Sequence, residues 1–359
     1  MKPLVVGELT LTHFKNYASA VFSFGPGFNV IAGLNGMGKT NLLDAVYYLC
    51  TGKSHFSSFD QKVVQWNAPF FRLEGQVKRG DKVHKAVIKV KPGSIKELSI
   101  DGAIVPRISQ HIGFFPVVVS APGDIELITG GSVVRRRYFD HLLCQVDPDY
   151  LRALMTYNQV LQQRNAALRQ RYDDISRITA SYDQQITGPA TLIFEKRKWL
   201  ASQIEGLVAE TYAILAERRE PVAIHYTSEL FEYPYEVLAD RNREADINQM
   251  RTLSGIHRDD FDLLVKEKPA RDFGSQGQIK SLIFALHLAK HRLLAQQTGF
   301  TPLLILDDIF DKLDERRLQQ LMTMLRSEAF GQVFISDTDS QRVTAYLPPE
   351  DVCCIQIGE

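Results

Sequence analysis

The sequence predicts an α/β fold in which one sheet is split into N- and C-terminal halves by a helical arm. Three observations carry that prediction. Residues 28–52 read as an apolar strand, a glycine-rich turn, and a helix with Leu42, Leu43, Val46 and Tyr47 on its apolar face. Far downstream, the apolar run 302–306 ends in the paired carboxylates Asp307-Asp308. Between them, residues 140–239 change to a helical texture. The implied divisions are 1–139 for the N-terminal half, 140–239 for the arm and 240–359 for the C-terminal half.

Before the glycine-rich turn, 9–14 and 21–24 alternate as half-buried strands, and Gly25-Pro26-Gly27 turns the chain into the next. The turn itself, Gly33-Leu34-Asn35-Gly36-Met37-Gly38-Lys39-Thr40, is G-x-x-x-x-G-K-T between a strand and a helix. Loop and helix-terminal N–H groups in that arrangement converge on phosphate oxygens. Lys39 is expected on the terminal phosphates of ATP and Thr40 on Mg²⁺. Gly33, Asn35, Gly36, Gly38 and Asn41 complete the expected nucleotide-binding set.

Residues 70–105 read as antiparallel strands, with Val83, Lys85, Val87, Lys89 and Lys91 on one face and an Asp101-Gly102 hairpin. The lysines suit the wet side of a sheet or a phosphate-tracking surface. After an apolar strand at 115–120, Arg135-Arg136-Arg137 is expected either to contact nucleotide or DNA, or to pair with Asp140 and Glu126.

In the arm, Leu151, Leu154, Asn158, Leu161, Asn165, Leu168, Tyr172 and Ile175 follow a heptad seam with two polar interruptions. Gly188-Pro189 is expected to turn the chain into a second, antiparallel helix carrying Leu192, Trp199, Leu200, Ile204, Leu207 and Leu215. Strands follow at 222–227 and 261–266. A metal site of His257, Asp259 and Asp260 is conceivable but lacks further ligands nearby. A kinase catalytic loop would need Asn where Leu264 stands, which excludes that reading of His257-Arg258-Asp259.

Ser275-Gln276-Gly277-Gln278 precedes an amphipathic helix at 279–296, as phosphate donors or as an ordinary N-cap. The run into Asp307 resembles a Mg²⁺-binding second nucleotide motif, with Asp308 beside the attacking water. Residues 334–338 end another strand in polar groups, and 352–357 form an edge strand. About 260 residues separate the phosphate loop from Asp307, yet the two strands are expected side by side in one sheet. The Ser275–Gln278 element lies about thirty residues before Asp307, where ABC-type ATPases carry the signature that caps a partner's γ-phosphate. The expected architecture is therefore a P-loop, ABC-type (SMC-like) ATPase head interrupted by the arm, and two chains should sandwich two ATP molecules.

Bulk properties exclude little and add a frame. Lys plus Arg and Asp plus Glu both number 42, so a nucleic-acid partner would need a local basic face. Cys50, Cys144, Cys353 and Cys354 show neither a C-x-x-C pair nor a disulfide framework. No run approaches the roughly eighteen apolar residues of a membrane span, and the N-terminus reads as a strand, which together predict a soluble cytoplasmic protein.

The sequence resembles the RecF family of bacterial SMC-like recombination-mediator ATPases over nearly its whole length. The carrying motifs are Gly33 to Asn41, Leu11-Thr-His-Phe-Lys-Asn-Tyr17, Tyr157 to Asn165, Gly255 to Asp260 with Ile256 in place of Pro, Ser275 to Gln278, and Asp307 to Asp314. His13 and Lys15 stand where the family usually has Asn and Arg. The resemblance implies an ATP-dependent homodimer that binds DNA at gaps and junctions and helps load recombinase, with RecR and RecO as partners. Asp308 stands where many ABC ATPases have Glu; its shorter reach implies slow hydrolysis, and Asp311 and Asp314 are placed at the dimer. A transporter ATPase subunit seldom separates the two nucleotide motifs so widely. An SMC-like structural or nuclease-coupled protein would carry a long coiled coil, a zinc hook or an acidic nuclease domain.

Overall fold

The computed structural model describes every residue except 171, 217–219, 311–312, 328–329 and 359. The chain divides into two compact units, one of Met1–Asp124, Thr211–Arg218 and Lys280–Glu359, the other of Ile125–Glu210 and Arg219–Ile279. These breaks fall at other positions than 139/140 and 239/240, because Arg135 on the helix Ser132–Val146 is ion-paired to Asp260 on the strand Asp260–Val265.

The first unit holds two sheets. One is antiparallel, with strand order Tyr17–Ser23, Leu4–Phe14, Phe71–Arg79, Lys82–Val90, Glu97–Ile100, Ala103–Ile104. Its inner positions, such as Leu9, Leu11, Leu73 and Ile88, are buried, while Lys85 and Lys89 face water as the period-two alternation requires. The other sheet is parallel, in the order Val352–Gln356, Phe28–Ala32, Val333–Asp337, Leu303–Leu306, Val117–Ser120. Its central strands are apolar without alternation because both faces are covered.

The helix Lys39–Thr51 touches strands of both sheets. Eleven of its thirteen residues are buried, so it is a core helix and not one with a single apolar face. Each buried leucine there contributes about 1.5–3 kcal/mol of transfer free energy.

The expectation that the loop strand and the carboxylate strand are neighbours is corrected. Val333–Asp337 lies between Phe28–Ala32 and Leu303–Leu306. Contact between the two motifs is made instead by Thr40, at the start of the helix that follows the loop.

The second unit is built on the helices Ser132–Val146, Pro148–Gln170 and Tyr235–Gln249, much of Ile175–Ala216, and the antiparallel strands Val222–Thr227, Asp260–Val265 and Lys268–Pro269. Two arm expectations are corrected. The chain turns at 173–174, and the helix Ile175–Ala216 runs through Pro189 without ending. An internal proline costs about 3 kcal/mol. Buried Ile186, Ala190 and Ile193 on either side offset it. The buried stripe of Pro148–Gln170 is Tyr150, Leu151, Ala153, Tyr157, Val160, Arg164, Ala167 and Leu168; Asn158 is exposed and Tyr172 lies beyond the helix. Arg164 can sit in the stripe because Asp183 and Asp246 receive it, both at 2.8 Å.

Arg197 is the second buried guanidinium. It meets Asp140 at 3.0 Å, Asp259 at 2.8 Å and the Ile256 carbonyl at 2.7 Å. Burial opposes its charge, but Tyr150, Asp140 and Asp259 outweigh that and hold its pKa well above the ordinary arginine value. Asp140 thus serves Arg197, and the Arg135–Asp140 and Arg136–Asp140 pairings do not form; Arg136 bonds the Asp259 carbonyl. His257 receives Tyr157, Asp259 receives Arg197 and Tyr226, and Asp260 receives Arg135, so the His-Arg-Asp-Asp element is a structural clamp. Among the described residues no cluster of metal-ligating side chains is found.

Candidate nucleotide-binding site

The loop 33–40 is closed by its own lysine. Lys39 is buried, and its Nζ donates to the carbonyls of Gly33 at 2.6 Å and Leu34 at 3.2 Å and to Asn35 Oδ1 at 3.4 Å. Gly38 has φ of 111°, and a Cβ there would lie 2.5 Å from the Asn16 amide, so only glycine fits. Asn16 explains the tight space. Its Nδ2 donates to the Met37 carbonyl at 3.1 Å, and its Oδ1 accepts from Asn41 at 2.7 Å. Tyr17 Oη donates to the Gly38 carbonyl at 3.1 Å, with its pKa pushed up to about 12 by burial, which keeps it a donor. Gly36 sits at the exposed tip of the loop.

Across the sheet, Thr40 Oγ1 donates to both oxygens of Asp307, at 3.2 and 3.1 Å. Asp307 is buried, and its amide bonds the Ser120 carbonyl at 2.9 Å. Ser336, fully buried on the intervening strand, donates to Asp307 Oδ1 at 2.6 Å and accepts the Asp308 amide at 2.9 Å. One hydroxyl therefore aligns both carboxylate residues. Asp308 has φ of 50°, a left-handed conformation that turns the chain sharply after the strand. A hydroxyl and a carboxylate converging at a buried strand end form an all-oxygen set that suits Mg²⁺, which takes one or two protein ligands with phosphates and waters supplying the rest.

The sequence thus assembles Gly33, Asn35, Gly36, Gly38, Lys39, Thr40, Asn41, Asp307 and Asp308 at one end of one sheet. Lys15 is committed elsewhere. Its Nζ pairs with buried Asp44 at 2.7 Å and lies 5.4 Å from the Phe56 ring centroid. Asp314 accepts the Arg317 amide at 3.0 Å at the start of the helix Glu315–Ser327, and Asp311 lies outside the described residues. Ser275, Gln276, Gly277 and Gln278 form the start of the helix Gln276–Thr298, three residues earlier than expected. Ser275 Oγ accepts the Gln278 amide at 3.3 Å and Gln278 Oε1 accepts the Ser275 amide at 2.8 Å, a reciprocal capping box. Gln278 Nε2 also donates to Glu220 at 2.9 Å.

Residue reasoning gave no role to Asn16, Tyr17 or Ser336. Asn16 and Tyr17 lie in the 11–17 motif, whose residue types point to no particular contact, and Ser336 is in sequence only a polar residue at a strand end.

Comparison with known proteins fits this geometry. The AAA domain family matches residues 8–321. DNA replication and repair protein RecF of Flavobacterium johnsoniae is 37% identical over 347 residues, covering 95% of this chain and 96% of that protein. The Cytophaga hutchinsonii protein of the same name is 37% identical, covering 96% and 92%. The chain belongs to the RecF family. It is a recombination-mediator ATPase. The solved structure of the recombination mediator protein RecF with ATP superposes with a TM-score of 0.89 at 26% identity, covering 99% of this chain and 96% of that one. An Smc head domain from Pyrococcus furiosus, at 17% identity and TM-score 0.55 over 96% and 92%, shares the fold. No helix among the described residues is long and apolar enough to cross a membrane.

Proposed function

We propose that the chain is an ATP-gated clamp on DNA, closing as a homodimer with two ATP molecules between its subunits. The observation that carries the site is the Thr40–Asp307 contact, which joins the phosphate loop to the carboxylate strand across 267 residues of sequence. Lys39, now on loop carbonyls, holds the terminal phosphates, and the loop amides from Asn35 to Asn41 line them. Thr40 and Asp307 hold Mg²⁺, which neutralises charge developing on the phosphates. Asp308 orients the attacking water. Ser275 and Gly277, with the amides of the Gln276–Thr298 helix start, receive the γ-phosphate bound to the partner, because Ser275 and Gln276 are exposed at the positive end of a long helix.

The short Asp308 side chain makes hydrolysis slow, so ATP times the clamp and does not fuel continuous work; turnover as fast as a transporter ATPase's would contradict this. The DNA held is a gap or single-strand/duplex junction, where the clamp helps load recombinase with RecR and RecO.

Light scattering tests the clamp. Mass is measured without nucleotide, with ADP, and with ATP and Mg²⁺, each with and without DNA. Wild type should double only with ATP, and DNA should join the doubled species. Lys39→Met should bind no nucleotide, whereas Ser275→Arg should bind ATP and stay single. A mass independent of nucleotide overturns the sandwich.

A further inference from the structure

The segment 56–66, which follows the Lys39–Thr51 helix, exposes three aromatic side chains: Phe56 at 38%, Phe59 at 64% and Trp66 at 88%. Large aromatic rings carry the biggest apolar surface of any side chain, and a tryptophan this exposed needs a reason. Backbone bonds fix the exposure. Lys62 and Val63 amides donate to Phe59 and Asp60 carbonyls at 3.1 and 3.0 Å, and Val63 itself is buried. The Gln65 amide donates to the His13 carbonyl and the Lys15 amide to the Val63 carbonyl, both at 2.8 Å, while Ala68 closes a turn onto Gln65 at 3.0 Å. Phe59 and Trp66 therefore flank a stretch stapled to the turn at 13–17.

The local charge selects the occupant. Lys62 is exposed and lies 5.9 Å from the Phe59 ring centroid. Asp60, the one acid of the segment, is already taken by Tyr48 at 2.7 Å and Lys96 at 2.9 Å. Exposed aromatic rings beside Lys62, which has no carboxylate among its described contacts, suit a polyanion that carries flat apolar groups, which is single-stranded nucleic acid. We propose that Phe59 and Trp66 form a stacking platform for unpaired bases of single-stranded DNA, with Lys62 on the adjoining phosphates. This rests on the DNA reading above. The same 13–17 turn carries Asn16, which braces the Met37 carbonyl and Asn41, so base stacking and the phosphate loop share one anchor.

The sequence has two tryptophans, so Trp199→Phe leaves Trp66 as the sole indole reporter. Its emission is followed with ATP and Mg²⁺ on adding oligo(dT), an abasic strand of equal length, or duplex, while anisotropy of end-labelled DNA reads binding independently. Oligo(dT) should quench the emission and the abasic strand and duplex should not. Trp66→Ala should weaken oligo(dT) binding about tenfold, leave abasic-strand binding unchanged, and be largely rescued by Trp66→Phe. If labelled oligo(dT) binds while emission stays constant and Trp66→Ala binds as wild type, the platform is overturned and the DNA reading stands. A full emission change with ATP and Mg²⁺ alone would assign Trp66 to a contact between copies and also overturn it. Failure of every DNA to bind overturns the DNA reading and the platform together.

Discussion

Lys39 in the first unit and Arg164 and Arg197 in the second are buried cations satisfied in opposite ways. In the second unit Arg164 and Arg197 are buried, and each is locked to two carboxylates. In the first, buried Lys39 meets only two carbonyls and an amide oxygen among its described contacts. Carboxylates use up a positive charge, whereas neutral oxygens solvate it and leave its field available. A guanidinium closed by two aspartates is therefore architecture, and an ammonium held by loop carbonyls is ready to exchange them for phosphate.

The sharpest way to break this contrast is to remove one charge from each region. Arg197→Met leaves the Asp140 and Asp259 charges without their cation and should cost about 3–5 kcal/mol, read as a lowered urea midpoint. Lys39→Met removes a group that no carboxylate depends on, so the urea midpoint should stay near wild type while ATP binding is lost. Equal destabilisation by both would end the distinction.

Ser336→Ala tests whether alignment of the carboxylates matters apart from their charge. Loss of a hydroxyl between Asp307 and the Asp308 amide should lower kcat roughly tenfold, on the scale of one buried hydrogen bond, and raise the Mg²⁺ concentration needed. Ser336→Thr should restore most of both. An unchanged Mg²⁺ requirement in Ser336→Ala would reduce Ser336 to packing.

The smallest effect concerns pH. Burial lowers the pKa of His291 to about 4, although its bonds to the Pro302 and Phe330 carbonyls push the other way. Its unfolded value is near 6.5. At neutral pH both states are unprotonated and the group adds no pH dependence. Between about 6.5 and 4 the unfolded chain takes up a proton that the folded one refuses, so stability falls as the pH drops through that window. His291→Gln should flatten this part of the stability profile, measured by urea unfolding from pH 7 to 4.5; an unaltered slope would place the acid sensitivity elsewhere.

The same contrast explains what the sequence disclosed. Lys39, Thr40 and Asp307 were legible because phosphate and metal chemistry demand fixed residue types at fixed short spacings. Ser336 and Asn16 were not, since their partners lie 29 and 21 positions away and a lone Ser or Asn carries no signature. Arg164 vanished from the helix seam because periodicity counts arginine as polar, whatever carboxylates await it. Gly188-Pro189 was read as a turn on local propensity alone, but buried neighbours on both sides override one lost backbone bond. The arginine cluster was open to nucleotide or DNA, or to the nearby Asp140 and Glu126, whereas Arg135 found Asp260 through the fold, 125 positions on.

The strand order bears on synthesis as well. Phe28–Ala32, which launches the phosphate loop, has as its two sheet neighbours Val333–Asp337 and Val352–Gln356. On a ribosome the loop emerges long before those strands, and its own strand has nowhere to pair until about three hundred further residues have been made. Throughout that interval an apolar strand remains unpaired and its helix has only the antiparallel sheet to pack on, a condition under which nascent chains recruit chaperones or aggregate. A chain cut short before residue 333 would carry every residue of the G-x-x-x-x-G-K-T motif without the neighbouring strands that hold its own strand in the parallel sheet. Nucleotide affinity in this protein is thereby withheld until the strand Val333–Asp337 has been made.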